Sequence, residues 1–340
     1  AESAVVDCTQ DAAASSDVES DDGSDGEWGA LGDFIDDPEL FDAPAADGAS
    51  APAIPTSTHC SEVLELRVPS IGYVTAAEFA ERYRRQSPVL LASFASEWAA
   101  CQRWVDNDHL AALSDAEAIV LAAPAGRKFL KCDCTQAALP FGECVRAIFG
   151  AHASAEESSE QGSERRYARA PLTDALVAEL QLDSLVALAD SGPLKQANCS
   201  VWFGHAGNVT PLHYDLCHGL LVQVRGRKRF TYIHPDESRH LYQRPDRPEV
   251  SRVDLDRWKQ GATTPEGAAE RAEHPDFGRV EYLQSVEVGP GDVIYTPPFF
   301  WHHVETLGDE PALSVLVPFD PAPDEPVHPC HFWPPGASSS

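Results

Sequence analysis

The apolar positions change pattern along the chain, from helical spacing before residue 198 to short strand-like runs after it. The stretch VTAAEFAERYRRQ carries Thr75 as an N-cap and Glu78 three residues on, a capping-box pattern that predicts an amphipathic helix. Ser87-Pro88 is expected to end it, and Val89-Leu90-Leu91 reads as a short buried strand. Residues 98–114, 140–150 and 172–188 also read as helical, with a Ser/Glu-rich exposed loop from Ala153 to Arg165. Strands are expected at 199–204, 211–216, 219–225, 228–234, 283–288, 292–297 and 312–317, divided by Gly, Pro and Asp turns. Many short strands so punctuated predict an antiparallel barrel or double-sheet jelly roll. Helices first and strands later make the class α+β, a helical N-terminal portion packed on the barrel. The long, charged, Pro-rich segment 236–280 reads as an insertion lying over one rim.

Composition divides the 340-residue chain further. Residues 1–58 hold 15 Asp and Glu and no Lys or Arg, and they are poor in branched apolar residues. Such a stretch cannot bury enough surface to offset chain entropy, so a disordered acidic tail is expected. Within it, Trp28 to Phe41 mixes aromatic residues with acids, as a short partner-binding motif would. The organisation expected is therefore 1–58 tail, 59–198 helical part, 199–320 jelly-roll core and 321–340 Pro-rich tail.

The net charge is −29, and −14 remains once the tail is set aside. That balance disfavours nucleic acid, whose phosphates call for Lys and Arg, and favours a basic protein or peptide segment as partner. A local basic face around Arg225, Arg227, Lys228 and Arg229 stays open. No apolar run is long enough for a membrane-spanning helix. The acidic N-terminal stretch matches neither a secretory signal nor a transit peptide, so an intracellular location, cytoplasm or nucleus, is expected. Nine scattered cysteines fit reduced thiols, and the one Cys132-x-Cys134 pair is a weak zinc signal.

The chemistry concentrates in Val209-Thr210-Pro211-Leu212-His213-Tyr214-Asp215. In a strand, residues two apart share a face, so His213 and Asp215 can converge on a metal while Tyr214 points away. A third ligand is expected from GPGDVIYTPPFFWHHVET, read as a turn at Gly289–Asp292 and a strand ending at Trp301-His302-His303. Two histidines and a carboxylate on one face of an iron leave three positions open, enough for a bidentate co-substrate and O2. Spacing alone does not choose between His302 and His303.

Over residues 60–318 the sequence resembles the JmjC oxygenases, in particular the small cupin-like protein hydroxylases. The resemblance rests on PVLL at 88–91, VWFG at 201–204, TPLHYD at 210–215, LVQVRGRKRF at 221–230 and GPGDVIYTPPFFWHH at 289–303. It implies a double-stranded β-helix, Fe(II), and 2-oxoglutarate and O2 as co-substrates. In that family the ligand directly follows the Trp, which implies His302. It further implies that Lys228, Thr210 and Tyr167 bind the distal carboxylate of 2-oxoglutarate. A Lys pointing into a barrel is costly unless an anion pairs with it, which gives that role a physical reason. The chain departs from close relatives at Gly219 and Leu316, where they often carry Asn.

The resemblance implies hydroxylation of a protein side chain, with release of succinate and CO2. The same family contains N-methyl-lysine demethylases and a tRNA-base hydroxylase, and the acidic balance counts against the latter. A cupin kept as a non-catalytic scaffold, or one using zinc or manganese without oxidation, is the contrasting expectation. His218 reads as a hydrogen-bonded residue of the barrel rim, His205 as part of a turn, and Trp202 and Trp301 as core aromatics. The short tail after Phe319 has no paired amphipathic helices, so a monomer is expected.

Overall fold

The computed structural model describes residues 63–123, 128–129, 134–150, 165–189, 195–322 and 325–332. The acidic tail with its Trp28–Phe41 patch lies outside the described residues, as do Cys132 and most of the Ala153–Arg165 loop.

Among the described residues the strands are β1 (Leu64–Arg67), β2 (Ser70–Ile71), β3 (Val89–Leu91), β4 (Glu117–Ala122), β5 (Thr135–Pro140), β6 (Arg166–Pro171) and β7 (Ser200–Gly204). They continue with β8 (Val209–His213), β9 (His218–Arg225), β10 (Arg227–Ile233), β11 (Tyr282–Val288), β12 (Val293–Thr296), β13 (Trp301–Leu307) and β14 (Ala312–Phe319). They build two sheets, ordered β1-β11-β10-β13-β8 and β2-β3-β12-β9-β14-β7-β6-β4-β5. Within these, β8, β13, β10 and β11 face β7, β14, β9 and β12. This is the double-stranded β-helix expected from the sequence, in an α+β setting.

Alternation assigns the two faces of the five-stranded sheet. Phe230, Tyr232 and Val304 join Ile294, Phe300 and Leu90 in an apolar layer drawn from both sheets. Ile233 and Trp301, at the intervening parity, join Leu255, Trp258 and Phe277 of the insertion on the outer face. The insertion is ordered around helices Leu255–Gln260 and Pro265–Glu273, capped by Asp254 and Thr264. The largest apolar cluster packs the N-terminal helices on the nine-stranded sheet.

The capping box at Thr75 and Glu78 forms as expected. Two helices, Ala99–Arg103 and Asn107–Ala112, replace the single one read at 98–114, because Asp106 caps the second. The 172–188 stretch likewise splits into Asp174–Val177 and Leu182–Ala189. The N-terminal portion is not only helical. The pattern missed β4, β5 and β6, which extend the main sheet by pairing in series onto β7. EAIVLA and RYARAP lack clean alternation, so their strand state comes from the partners. The segment read as one strand ending at His303 is two, β12 and β13, with Trp301 opening the second. The turn before β12 needs Gly291, at φ +88°, where a Cβ would stand 2.9 Å from Ser96 Cα.

Among the described residues no basic face forms around 225–229. Lys228 is buried, Arg227 pairs with Glu287, and Arg229 pairs with Glu287 and Glu305. Arg225 lies over the Phe149 ring and donates to Trp104 and Asn107. The alternation of β10 turns Lys228 inwards, and cross-strand acids neutralise its outward neighbours.

Candidate metal centre

β8 and β13 are antiparallel neighbours, with His213 directly opposite His302. Two residues further along β13, Val304 pairs with Thr210, so β8 carries one extra residue in that interval. The bulge changes the parity of β8, which lets Thr210 and His213, three apart, serve the same interior face. Asp215 follows just past the strand end. Its carbonyl accepts the Phe299 N–H at 2.8 Å, which ties the turn before β13 to the ligand segment.

One ligand atom from each of His213, Asp215 and His302 lies within 4.8 Å of the others. The imidazole orientations are fixed from behind. Nδ1 of His213 donates to the Pro211 carbonyl at 2.7 Å, and Nδ1 of His302 donates to the Phe300 carbonyl at 2.9 Å. A carbonyl can only accept, so in both rings Nε2 is left with its lone pair towards the cluster. His302 Nε2 stands 3.6 Å from an Asp215 oxygen. Burial pushes the Asp215 carboxyl up, against the pull of His213, and pushes His302 well below the ordinary histidine range. A bound cation reverses both penalties, and two imidazoles with one carboxylate are the donor set of non-heme Fe(II) sites. The residues therefore fit the metal.

His303 faces the other way. Its Nε2 meets Asp256 at 3.3 Å on the outer side of the sheet, beside a cleft of about 560 Å³ under the insertion. The structure thus selects His302 for the cluster.

Lys228 is 2% exposed, and among the described residues no carboxylate pairs with it. Its Nζ donates to the Tyr167 hydroxyl at 3.4 Å, and Tyr167 in turn bonds to Thr210. Burial alone pulls the Lys228 ammonium down to about 7, and it raises the Tyr167 phenol so that the hydroxyl stays protonated. The three residues expected to bind a carboxylate therefore meet. Thr210 lies, in strand register, between them and the His302–His213 pair.

His218 sits at the rim, bonded to Tyr295 at 2.8 Å and Glu325 at 2.9 Å. His205 accepts from the Arg166 N–H in a turn. Trp301 donates to Ser238 in the outer core, while the Trp202 ring lies 5.2 Å from that of Tyr167, tilted by 40°. A Cβ placed on Gly219 would lie 3.7 Å from Leu316 Cδ1, so the two departures from the family pattern are neighbours. Sequence reasoning did not single out Phe299 or the segment after Glu325. Nothing in the local pattern signals the positive φ of Phe299, +65°, or the docking of that segment.

Residues 75–325 match the cupin-like domain family. The chain belongs to that family. Among curated relatives, it is 24% identical over 294 residues to Jumonji C domain-containing protein 5 of Drosophila melanogaster, covering 84% of this chain and 67% of that protein. It is 26% identical over 244 residues to the lysine-specific demethylase JMJ30 of Arabidopsis thaliana, covering 70% and 50% respectively. Of the solved structures, the Escherichia coli ribosomal oxygenase YcfD aligns with a TM-score of 0.42 at 17% identity, over 74% of this chain and 52% of that one. The chain thus spans between half and two thirds of the length of these proteins. Among the described residues no helix is long and apolar enough to cross a membrane.

Proposed function

We propose that this chain is an Fe(II)- and 2-oxoglutarate-dependent oxygenase that hydroxylates a side chain of a protein substrate. The observation that carries this reading is Lys228, a buried cation on the interior face of the sheet that also holds the His213–Asp215–His302 cluster. A buried ammonium without a carboxylate is costly, and a dianionic ligand removes the cost.

His213 and His302 would hold the metal through Nε2, and Asp215 through a carboxylate oxygen. Lys228 would bind the distal carboxylate of 2-oxoglutarate, with the Tyr167 and Thr210 hydroxyls beside it. When bound, iron and 2-oxoglutarate supply the oxidation: O2 and 2-oxoglutarate yield succinate and CO2, and one substrate C–H becomes C–OH. The protein's own share is orientation and dryness. The Pro211 and Phe300 carbonyls hold the two imidazoles, and Phe230, Tyr232, Ile294 and Phe300 wall the interior.

A protein substrate is favoured over nucleic acid by the acidic body and by the ion-paired state of Arg227 and Arg229. The relative named as a lysine-specific demethylase favours a second reading, in which the hydroxylated carbon is an N-methyl group and leaves as formaldehyde. The test is succinate release by anaerobically iron-loaded protein exposed to O2, with a panel of plain and N-methylated peptides. Turnover lost in His213→Ala supports the oxygenase, and formaldehyde release selects the second reading. Absence of turnover together with absence of 2-oxoglutarate binding overturns both.

A further inference from the structure

The two residues that flank the metal-ligand positions on the outer face, Tyr214 and Trp301, are packed together by chain that follows the barrel. Tyr214 is 1% exposed and lies between His213 and Asp215 in sequence; Trp301 directly precedes His302. Their rings meet edge to face at 4.8 Å. Phe299 closes on Tyr214 at 5.9 Å, and its N–H holds the Asp215 carbonyl at 2.8 Å. A phenylalanine at φ +65° persists only where its surroundings determine it.

Those surroundings come from residues 325–332, outside the eight barrel strands. His331 Nδ1 and the Tyr214 hydroxyl share a hydrogen bond at 3.2 Å, and the His328 and His331 rings stand 6.2 and 6.3 Å from Phe299. The segment is itself pinned at several points. Glu325 joins His218 and Arg84, His328 meets Asp236 at 3.0 Å, and Cys330 is fully buried in the outer cluster. Three ligand residues on two separate segments are therefore backed by one aromatic layer, and the layer is closed by a segment that contributes no ligand.

We propose that the 325–332 segment is a positioning clamp for the metal centre, acting through the His331–Tyr214 hydrogen bond and the Phe299 ring. The proposal rests on the metal-binding part of the reading above. It does not depend on turnover, because the clamp sets the geometry of the three ligand side chains. Outer contacts of this kind commonly change metal affinity about 10–100-fold.

The test is Mn(II) affinity of the full chain, read from the EPR signal of the free ion, with melting temperature measured alongside. His331→Ala and Tyr214→Phe are each expected to weaken Mn(II) binding about tenfold. The double variant is expected to be no weaker than either single one, because both break one bond. His331→Asn, whose amide oxygen falls near the place of Nδ1, is expected to restore affinity. Wild-type affinity in both single variants overturns the clamp. So does a loss that tracks melting temperature and is not rescued by Asn, since that marks a merely structural contact. If the wild type binds Mn(II) and the variants behave as expected, yet no variant or wild-type sample converts or binds 2-oxoglutarate, the oxygenase reading fails and the clamp stands.

Discussion

The barrel interior and the helical flank around Glu179 both bury charged groups, and they treat them in opposite ways. Glu179 accepts from Trp104 Nε1 at 2.8 Å, meets His109 at 3.0 Å and pairs with Arg103 at 2.6 Å. Its charge is answered from within the fold. In the interior, Lys228 has a phenol at 3.4 Å as its partner, and Asp215 and His302 are each shifted by burial towards the neutral form. The same physics that makes an answered charge structural makes an unanswered one a sign of a missing ligand. The comparison separates site from scaffold without appeal to relatives.

The sharpest way to break it is to remove a ligand atom. Asp215→Ala is expected to lower 2-oxoglutarate turnover at least about a hundredfold, measured as succinate per iron, because two imidazoles alone hold the metal poorly. Retained turnover would move the chemistry elsewhere. Next comes Lys228→Met, expected to weaken 2-oxoglutarate binding about 10–100-fold, the worth of a charge-assisted contact. The same variant is expected to melt roughly 2–4 °C higher without co-substrate, since an unanswered buried cation is replaced by a similar apolar volume. Glu179→Ala is the counterpart. It is expected to lower the melting temperature by about 5 °C while leaving 2-oxoglutarate affinity unchanged, as loss of an answered charge should.

A smaller effect sharpens the contrast through pH. Lys228 titrates near 7 in the free fold against an ordinary value of 10.5. Between these values the unfolded chain binds the proton and the fold does not, so this group's contribution makes stability rise with pH across that window. Binding of a dianion needs the charged form. Affinity for 2-oxoglutarate is therefore expected to be flat below pH 7 and to fall above it, by up to about tenfold per unit. Calorimetry at several pH values checks this, and a flat profile through pH 9 removes Lys228 from the site.

Much of this was legible in the sequence, for physical reasons that differ by element. His213 and Asp215 could be read because strand alternation is local, and the Thr75–Glu78 box because its partners are three residues apart. Thr210 could not be placed on the His213 face by alternation alone; that needed the bulge opposite His302–Val304, which depends on a partner strand. Choosing His302 over His303 required the family resemblance or Asp256, 47 residues earlier in the chain. The strands β4 to β6, which bring in Tyr167, are set by series pairing onto β7 and leave little local trace. Whether residues 225–229 form a basic face could not be decided from the sequence, because inward and outward positions on β10 alternate, and acids on β11 and β13 answer the outward ones.

The most direct test of whether the His213–Asp215–His302 cluster and Lys228 are two halves of one site is calorimetric titration of 2-oxoglutarate under argon. It would be run on wild type and Lys228→Met, each with and without Fe(II). Binding to iron-loaded wild type, weakened at least about tenfold by removing either the metal or the lysine, is the expected result. Binding that survives loss of Lys228, or that is indifferent to the metal, would contradict it.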